Sequence, residues 1–155
     1  MERYVEPDVD TLNMFESLKT ERFEHLDGAR FKLIVDLKPK INKLKGSLVF
    51  AYVRLSTKVE KYLVMQQNKL YDYFIFISGL VWDIASKEDK KRILSHELRH
   101  CIIDNKGDFK TVGHEIEDFY AELQLNEDDP MWKQSLNVEA LAEYDRIKEQ
   151  EKANK

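Results

Sequence analysis

Cysteine is almost missing from this 155-residue chain. Cys101 stands alone, so no disulfide can close within the chain and no cysteine-rich zinc site can be built. Any metal site has to draw on histidine and carboxylate. Histidine is itself scarce, at four residues: His25, His96, His100 and His114. No uninterrupted apolar run approaches the roughly 20 residues that cross a bilayer. The opening stretch MERYVEPDVD lacks the basic and then apolar pattern of a secretory signal. From these two absences a cytoplasmic location with no membrane contact is the expectation. Positive charge is not in excess either: 25 Lys and Arg against 29 Asp and Glu give a formal net charge of -4. That balance disfavours wholesale wrapping of nucleic acid and leaves room only for a local basic patch.

The chain is 43% hydrophobic and 35% charged, a composition that suits one compact domain with a single core. The expected domain covers residues 1–134, followed by a charged helical tail over 135–155 whose polar tip frays. Leu12, Phe15, Leu18, Phe23 and Leu26 recur at helical spacing between Asp8 and Leu26, which predicts a first amphipathic helix ending at Asp27-Gly28. RFKLIVDL (Arg30–Leu37), SLVFAYVRLS (Ser47–Ser56) and YDYFIFIS (Tyr71–Ser78) are rich in β-branched and aromatic residues and predict three strands. KVEKYLVMQQNK between the last two reads as a loop or a short helix. A second long helix is expected from Ser86, a cap with Asp89 three residues on, through Ile93, Leu94, Leu98, Cys101 and Ile102, ending at DNKGD. A further helix is expected from Gly113-His114 through EIEDFYAEL. The fold class is therefore α+β: a helix, a small sheet, then helices.

SHELRHC, residues 95–101, carries the chemistry. Residues four apart on a helix share a face, so His96 and His100 can converge on one cation. Catalytic zinc takes three protein ligands and keeps a position for water, whose pKa it lowers. Glu97 is the candidate general acid/base, able to take a proton from that water and deliver it to a leaving amine. The third ligand is open between His114, which follows a loop bracketed by Gly107 and Gly113, and the carboxylates Glu117 and Glu122. If His114 is the ligand, Glu117 or Asp118 can hold a ligand's other ring nitrogen. His25 reads as structural, complementing a helix end. Cys101 reads as a small buried hydrophobe, and Arg99 as solvent-facing or in contact with an acidic neighbour or a substrate carbonyl. The aromatic stripe of YDYFIFIS reads as sheet core. Where such a strand is a sheet edge, a peptide can add to it through main-chain hydrogen bonds.

HELRHC, a short glycine-containing loop and GHEIEDF, preceded by DYFIFISGLVWD, together resemble the phage metallopeptidase family, a zincin-type group, from about Phe31 to Met131. The pairing of HExxH with a Gly-His and a Phe five residues after that His is also similar to SprT-like proteases. Glu115 stands where those proteases have a glycine, and a four-cysteine ribbon is missing. The resemblance implies a minimal zincin-like domain that binds Zn2+ through His96, His100 and His114, uses Glu97 as general acid/base, and hydrolyses a protein or peptide substrate. Phe119 would support the ligand-bearing segment. Two other functions stay open: a non-catalytic zinc-stabilised regulatory or binding protein, and a regulatory peptidase resembling the ImmA/IrrE type, with a carboxylate as third ligand.

Overall fold

The computed structural model describes residues 2–42, 44–65, 70–114 and 118–154. Its first helix, α1 (Val9–Arg22), begins where the Asp8 carboxylate accepts the Thr11 N–H at 2.7 Å, and buries Thr11, Phe15 and Leu18 at helical spacing. The helix stops short of the expected end. A 3-10 turn over Glu24–Leu26 follows, and Phe23 and Leu26 reach the core from it and from the residue before it.

The main sheet has four strands in the order β1 (Tyr4–Val5), β2 (Phe31–Asp36), β6 (Tyr73–Ser78), β5 (Ala51–Leu55). The β2–β6 pair is parallel and the other two pairs are antiparallel. So the strand YFIFIS is central, and β5 forms the edge on the side of helix α4 (Lys87–Arg99). Short β1 carries little pattern and was not legible in the sequence. The expected strand over 47–56 is divided. Ser47–Leu48 (β4) pairs with Ile41–Asn42 (β3) in a separate hairpin that turns through Gly46 at φ +62°, and only Ala51–Leu55 joins the main sheet.

Between β5 and β6 the chain forms α2 (Lys58–Met65), while the rest of KVEKYLVMQQNK, residues 66–69, lies outside the described residues. A short helix, α3 (Gly79–Ile84), leaves β6 directly. A Cβ at position 79 would sit 3.1 Å from the Leu37 side chain and 3.2 Å from that of Val35, so the turn brings backbone against β2 where only glycine fits without displacement.

Helix α4 begins as its sequence predicts, with the Ser86 hydroxyl accepting the Asp89 N–H at 3.1 Å. It ends earlier than expected. His100 caps it, and Cys101–Ile103 is strand β7, hairpinned to β8 (Phe109–Thr111) through Gly107 at φ +83°. Ile102 therefore belongs to a strand and not to a helix face. β-branched Ile102 and Ile103 favour that strand. The Tyr73 hydroxyl, 2.8 Å from the carbonyls of both Ile102 and Lys110, donates to one of them at a time and pins the hairpin to the sheet. Gly113 needs no left-handed backbone; of the two loop glycines only Gly107 does.

The helix expected from Gly113-His114 is instead α5 (Tyr120–Leu125), with Gly113 and His114 outside any helix or strand. The last helix, α6, runs continuously over Trp132–Ala153 and lays Trp132, Leu136 and Ala140 into the core. That core lies between one sheet face, bearing Leu33, Tyr73, Ile75 and Ile77, and helices α1, α3, α4 and α6. Alternate residues (Lys32, Ile34, Phe74, Phe76, Tyr52 and Arg54) occupy the other face. Among the described residues no helix is long and apolar enough to cross a membrane.

Candidate metal centre and cleft

His96 lies on the inner face of α4 in its last turn, and His100 is the residue that ends the helix. Ending there has a consequence for the ligand set. The freed backbone of His100 pairs with Val112 of the returning hairpin: the His100 carbonyl accepts the Val112 N–H at 2.7 Å, and the His100 Nδ1 donates to the Val112 carbonyl at 2.6 Å. Two residues later this anchored strand delivers His114 over α4. Each of the three histidines offers one ring nitrogen, and these lie within 4.8 Å of one another. Ring centroids are 4.5 to 5.1 Å apart. Phe119 packs against all three imidazoles, at 4.9 to 5.3 Å.

The hydrogen bonds settle which nitrogens face inward. The Nδ1 of His96 is 2.9 Å from Asp118 Oδ1 and that of His100 is bound to Val112, so both rings carry their proton on Nδ1 and turn an Nε2 lone pair towards the shared space. His96 Nε2 and His114 Nε2 are 2.8 Å apart. Desolvation first, then the neighbouring imidazoles, push the His114 pKa down to about 4, so that ring is neutral near pH 7. Burial also lowers the His100 pKa. Neutral lone pairs crowded on one point repel each other unless a proton or a cation lies between them. This donor set fits a metal ion that accepts imidazole nitrogen.

Asp118 is buried, and burial alone would raise its carboxyl pKa. Hydrogen bonds from His96, from Lys133 of α6 at 2.9 Å and from the Phe119 N–H at 2.8 Å hold it well below the usual carboxylate range. Glu97 is only 6% exposed. Burial pushes its pKa up to about 7, with His96 and Lys133 pulling the other way. A carboxyl poised near neutrality can both take up and release a proton. His96, Glu97 and His100 floor a cleft of about 490 Å³, walled on one side by Ala51, Tyr52 and Val53 of β5 and on the other by Thr111–His114.

Of the other candidates, Glu122 does not reach the cluster. It is 1% exposed and accepts from Arg99 at 2.8 and 3.2 Å through one oxygen. Arg99 is correspondingly not solvent-facing, for its guanidinium lies 4.5 Å over the Phe23 ring. Glu117 lies outside the described residues. His25 sits in the 3-10 turn beside Phe23, away from the triad. Cys101 is buried, with its thiol pKa pushed well up by desolvation. Sequence reasoning missed the Val112 carbonyl and Lys133. A backbone acceptor carries no residue signature, and a single lysine at the start of a charged helix carries little.

The fold and the cluster define a mixed α+β protein with a histidine triad that could hold a metal ion. The chain belongs to the family described as "Putative phage metallopeptidase", which matches residues 2–143. Comparison with curated proteins and with solved structures returns no match.

Proposed function

We propose that this chain is a zinc-dependent peptidase with a minimal zincin-like domain, acting on a protein or peptide substrate in the cytoplasm. The observation that carries the reading is the buried Glu97, adjacent in sequence to His96, at the floor of a cleft where three imidazoles converge. His96, His100 and His114 would hold the ion. A bound zinc ion supplies an acidified water and an electrophile for the scissile carbonyl. The chain's own groups do the rest. Glu97 Oε takes the proton of the attacking water and passes it to the departing amine, so that a peptide bond is exchanged for a carboxyl and an amino group. Asp118 and the Val112 carbonyl hold the two α4 imidazoles in the tautomer that faces inward. The outer edge of β5, which pairs with no other strand among the described residues, can orient a substrate by main-chain hydrogen bonds.

The test pairs metal content with turnover. Wild-type protein is expected to carry about one zinc per chain and to cut an unfolded protein. Glu97→Gln should keep the zinc and the fold while hydrolysis falls by a factor of at least about 100. Zinc binding with no hydrolysis in the wild type would favour a metal-stabilised binding protein, and metal-free folded protein would count against both.

A further inference from the structure

From Leu37 to Val59 the chain has no acidic residue, although it holds 29 in all, and this stretch carries Lys38, Lys40, Lys43, Lys45, Arg54 and Lys58. The same stretch supplies β5, one wall of the cleft, and the β3–β4 hairpin that adjoins the start of that strand. Arg54 is bound by Glu60 at 2.7 and 2.8 Å. Lys38 and Lys40 make no ion pair closer than 4 Å with any described residue, and both are exposed. They border a shallow depression with Asp36, Ala51, Tyr52 and Phe76, where the Asp36 carboxylate is bound by Arg3 through both oxygens at 3.0 Å; Ala51 and Tyr52 are also part of the cleft wall. The Lys40 ammonium reaches along this wall to the Tyr52 hydroxyl, at 3.0 Å, and lies 4.3 Å from the ring centroid.

We infer that Lys38 and Lys40 form an acidic-residue subsite of the cleft, so that the preferred substrate is an extended peptide with Asp or Glu beside the segment that lies along Ala51 and Tyr52. This rests on the peptidase reading. A strand added to the free edge of β5 turns alternate side chains to the face that carries Tyr52, and there the two lysine ammonium groups stand without a direct ion pair among the described residues, the buried Asp36 carboxylate near Lys40 being taken up by Arg3 at 3.0 Å. A single-stranded nucleic acid would meet the same charges but would need open ring faces on which to stack. Those faces are taken: Tyr52 is stacked on Phe76 at 4.8 Å with Lys40 over it, and Phe74 lies under Arg54. An acidic peptide needs only the edge and the charges.

The experiment uses the full zinc-loaded chain and two fluorescent peptides that differ only in flanking residues, Glu in one and Lys in the other. Binding is measured on Glu97→Gln and cleavage on the Glu97 protein. Two exposed ion pairs are each worth a few-fold, so the Glu peptide is expected to bind and to be cut about three- to tenfold better at low salt. The preference should shrink at high salt and reverse in Lys38→Glu/Lys40→Glu. Lys38→Glu alone, which leaves the Lys40–Tyr52 contact in place, should give about half the change on a logarithmic scale. Equal treatment of the two peptides, or a preference unmoved by charge reversal, would overturn the subsite while leaving the peptidase reading intact. Displacement of the Glu peptide by an oligothymidylate at lower concentration would overturn it in favour of nucleic acid. Hydrolysis of neither peptide, nor of an unfolded protein, would count against the peptidase reading itself.

Discussion

Asp118→Asn is the most informative single change at the metal centre, because it keeps the shape of the side chain and removes one charge. In the native arrangement Oδ1 accepts from His96 Nδ1 and from the Phe119 N–H, and Oδ2 accepts from Lys133 at 2.9 Å. An asparagine can still accept through Oδ1, but its amide then presents a donor to the Lys133 ammonium, and the His96 ring loses a charged acceptor. Loss of such a partner behind a metal-bound imidazole weakens metal binding by about 10- to 100-fold, or about 1.4–2.7 kcal/mol. Suppose zinc is present at 100 times the wild-type Kd, where it stabilises the fold by about 2.7 kcal/mol. A thirtyfold weaker site then gives up about 2 kcal/mol of that, which lowers the zinc-bound Tm by about 4–8 °C for a domain of this size. Competition against a chelator measures the affinity, and thermal unfolding with and without zinc measures the linkage. Asp118→Asn protein that binds zinc as tightly as wild type would refute the tautomer argument. A Tm loss equal in the metal-free and zinc-bound forms would show that Asp118 serves packing alone.

Three further outcomes follow from the packing and the charges. Phe119→Ala removes the ring beneath the three imidazoles, at 4.9 to 5.3 Å; it should cost about 3–5 kcal/mol in urea unfolding and weaken zinc binding, whereas Phe119→Leu should retain most of both. Leu136→Ala in α6, where Leu136 is 2% exposed, should cost about 2–5 kcal/mol; a change near zero would show that α6 is not docked. Glu60 has its carboxyl pKa drawn from 4.5 down to about 2, chiefly by the Arg54 hydrogen bonds. A lowered folded-state pKa means that the pair stabilises fully above about pH 4.5 and loses its effect as the pH falls towards 2. Because both side chains are about a third exposed or more, the stability difference between wild type and Glu60→Gln should stay under about 1 kcal/mol, and it should vanish across that window.

What could be read from the sequence was what local pattern decides. The apolar spacing of α1, the cap at Ser86 that starts α4 and the strand YFIFIS all have signals within a few residues of themselves. The elements misjudged depend on distant partners. Ile102 keeps the helical spacing of α4, yet the Tyr73 hydroxyl from the sheet and the pairing with β8 draw it into a strand. Strand β1 has only two residues, and it is defined by Asp36 and Val35 across from it. Gly113 and His114 precede a helix-compatible run in EIEDFYAEL, but Val112 just before them is held by His100, and neither residue joins a helix.

The end of α4 at His100, short of Ile102, bears on the site. Had α4 continued through Ile102, the His100 backbone would be spent inside the helix, and the Val112 carbonyl would have no reason to lie beside its imidazole. The early stop therefore does two things with one set of contacts. It orients His100 by its Nδ1, and it starts the hairpin whose second strand returns to bring His114 within reach of His96. The pairing of HExxH with a downstream Gly-His, seen as spacing in the sequence, is at the level of structure a helix terminus, a six-residue β-ladder turned at Gly107, and one reciprocal pair of hydrogen bonds. Lengthening the turn between β7 and β8 should be tolerated so long as the ladder and the His100–Val112 pair survive. Replacing Val112 by proline removes the N–H that the His100 carbonyl accepts; it should separate His114 from the other two ligands while leaving α4 and the core folded.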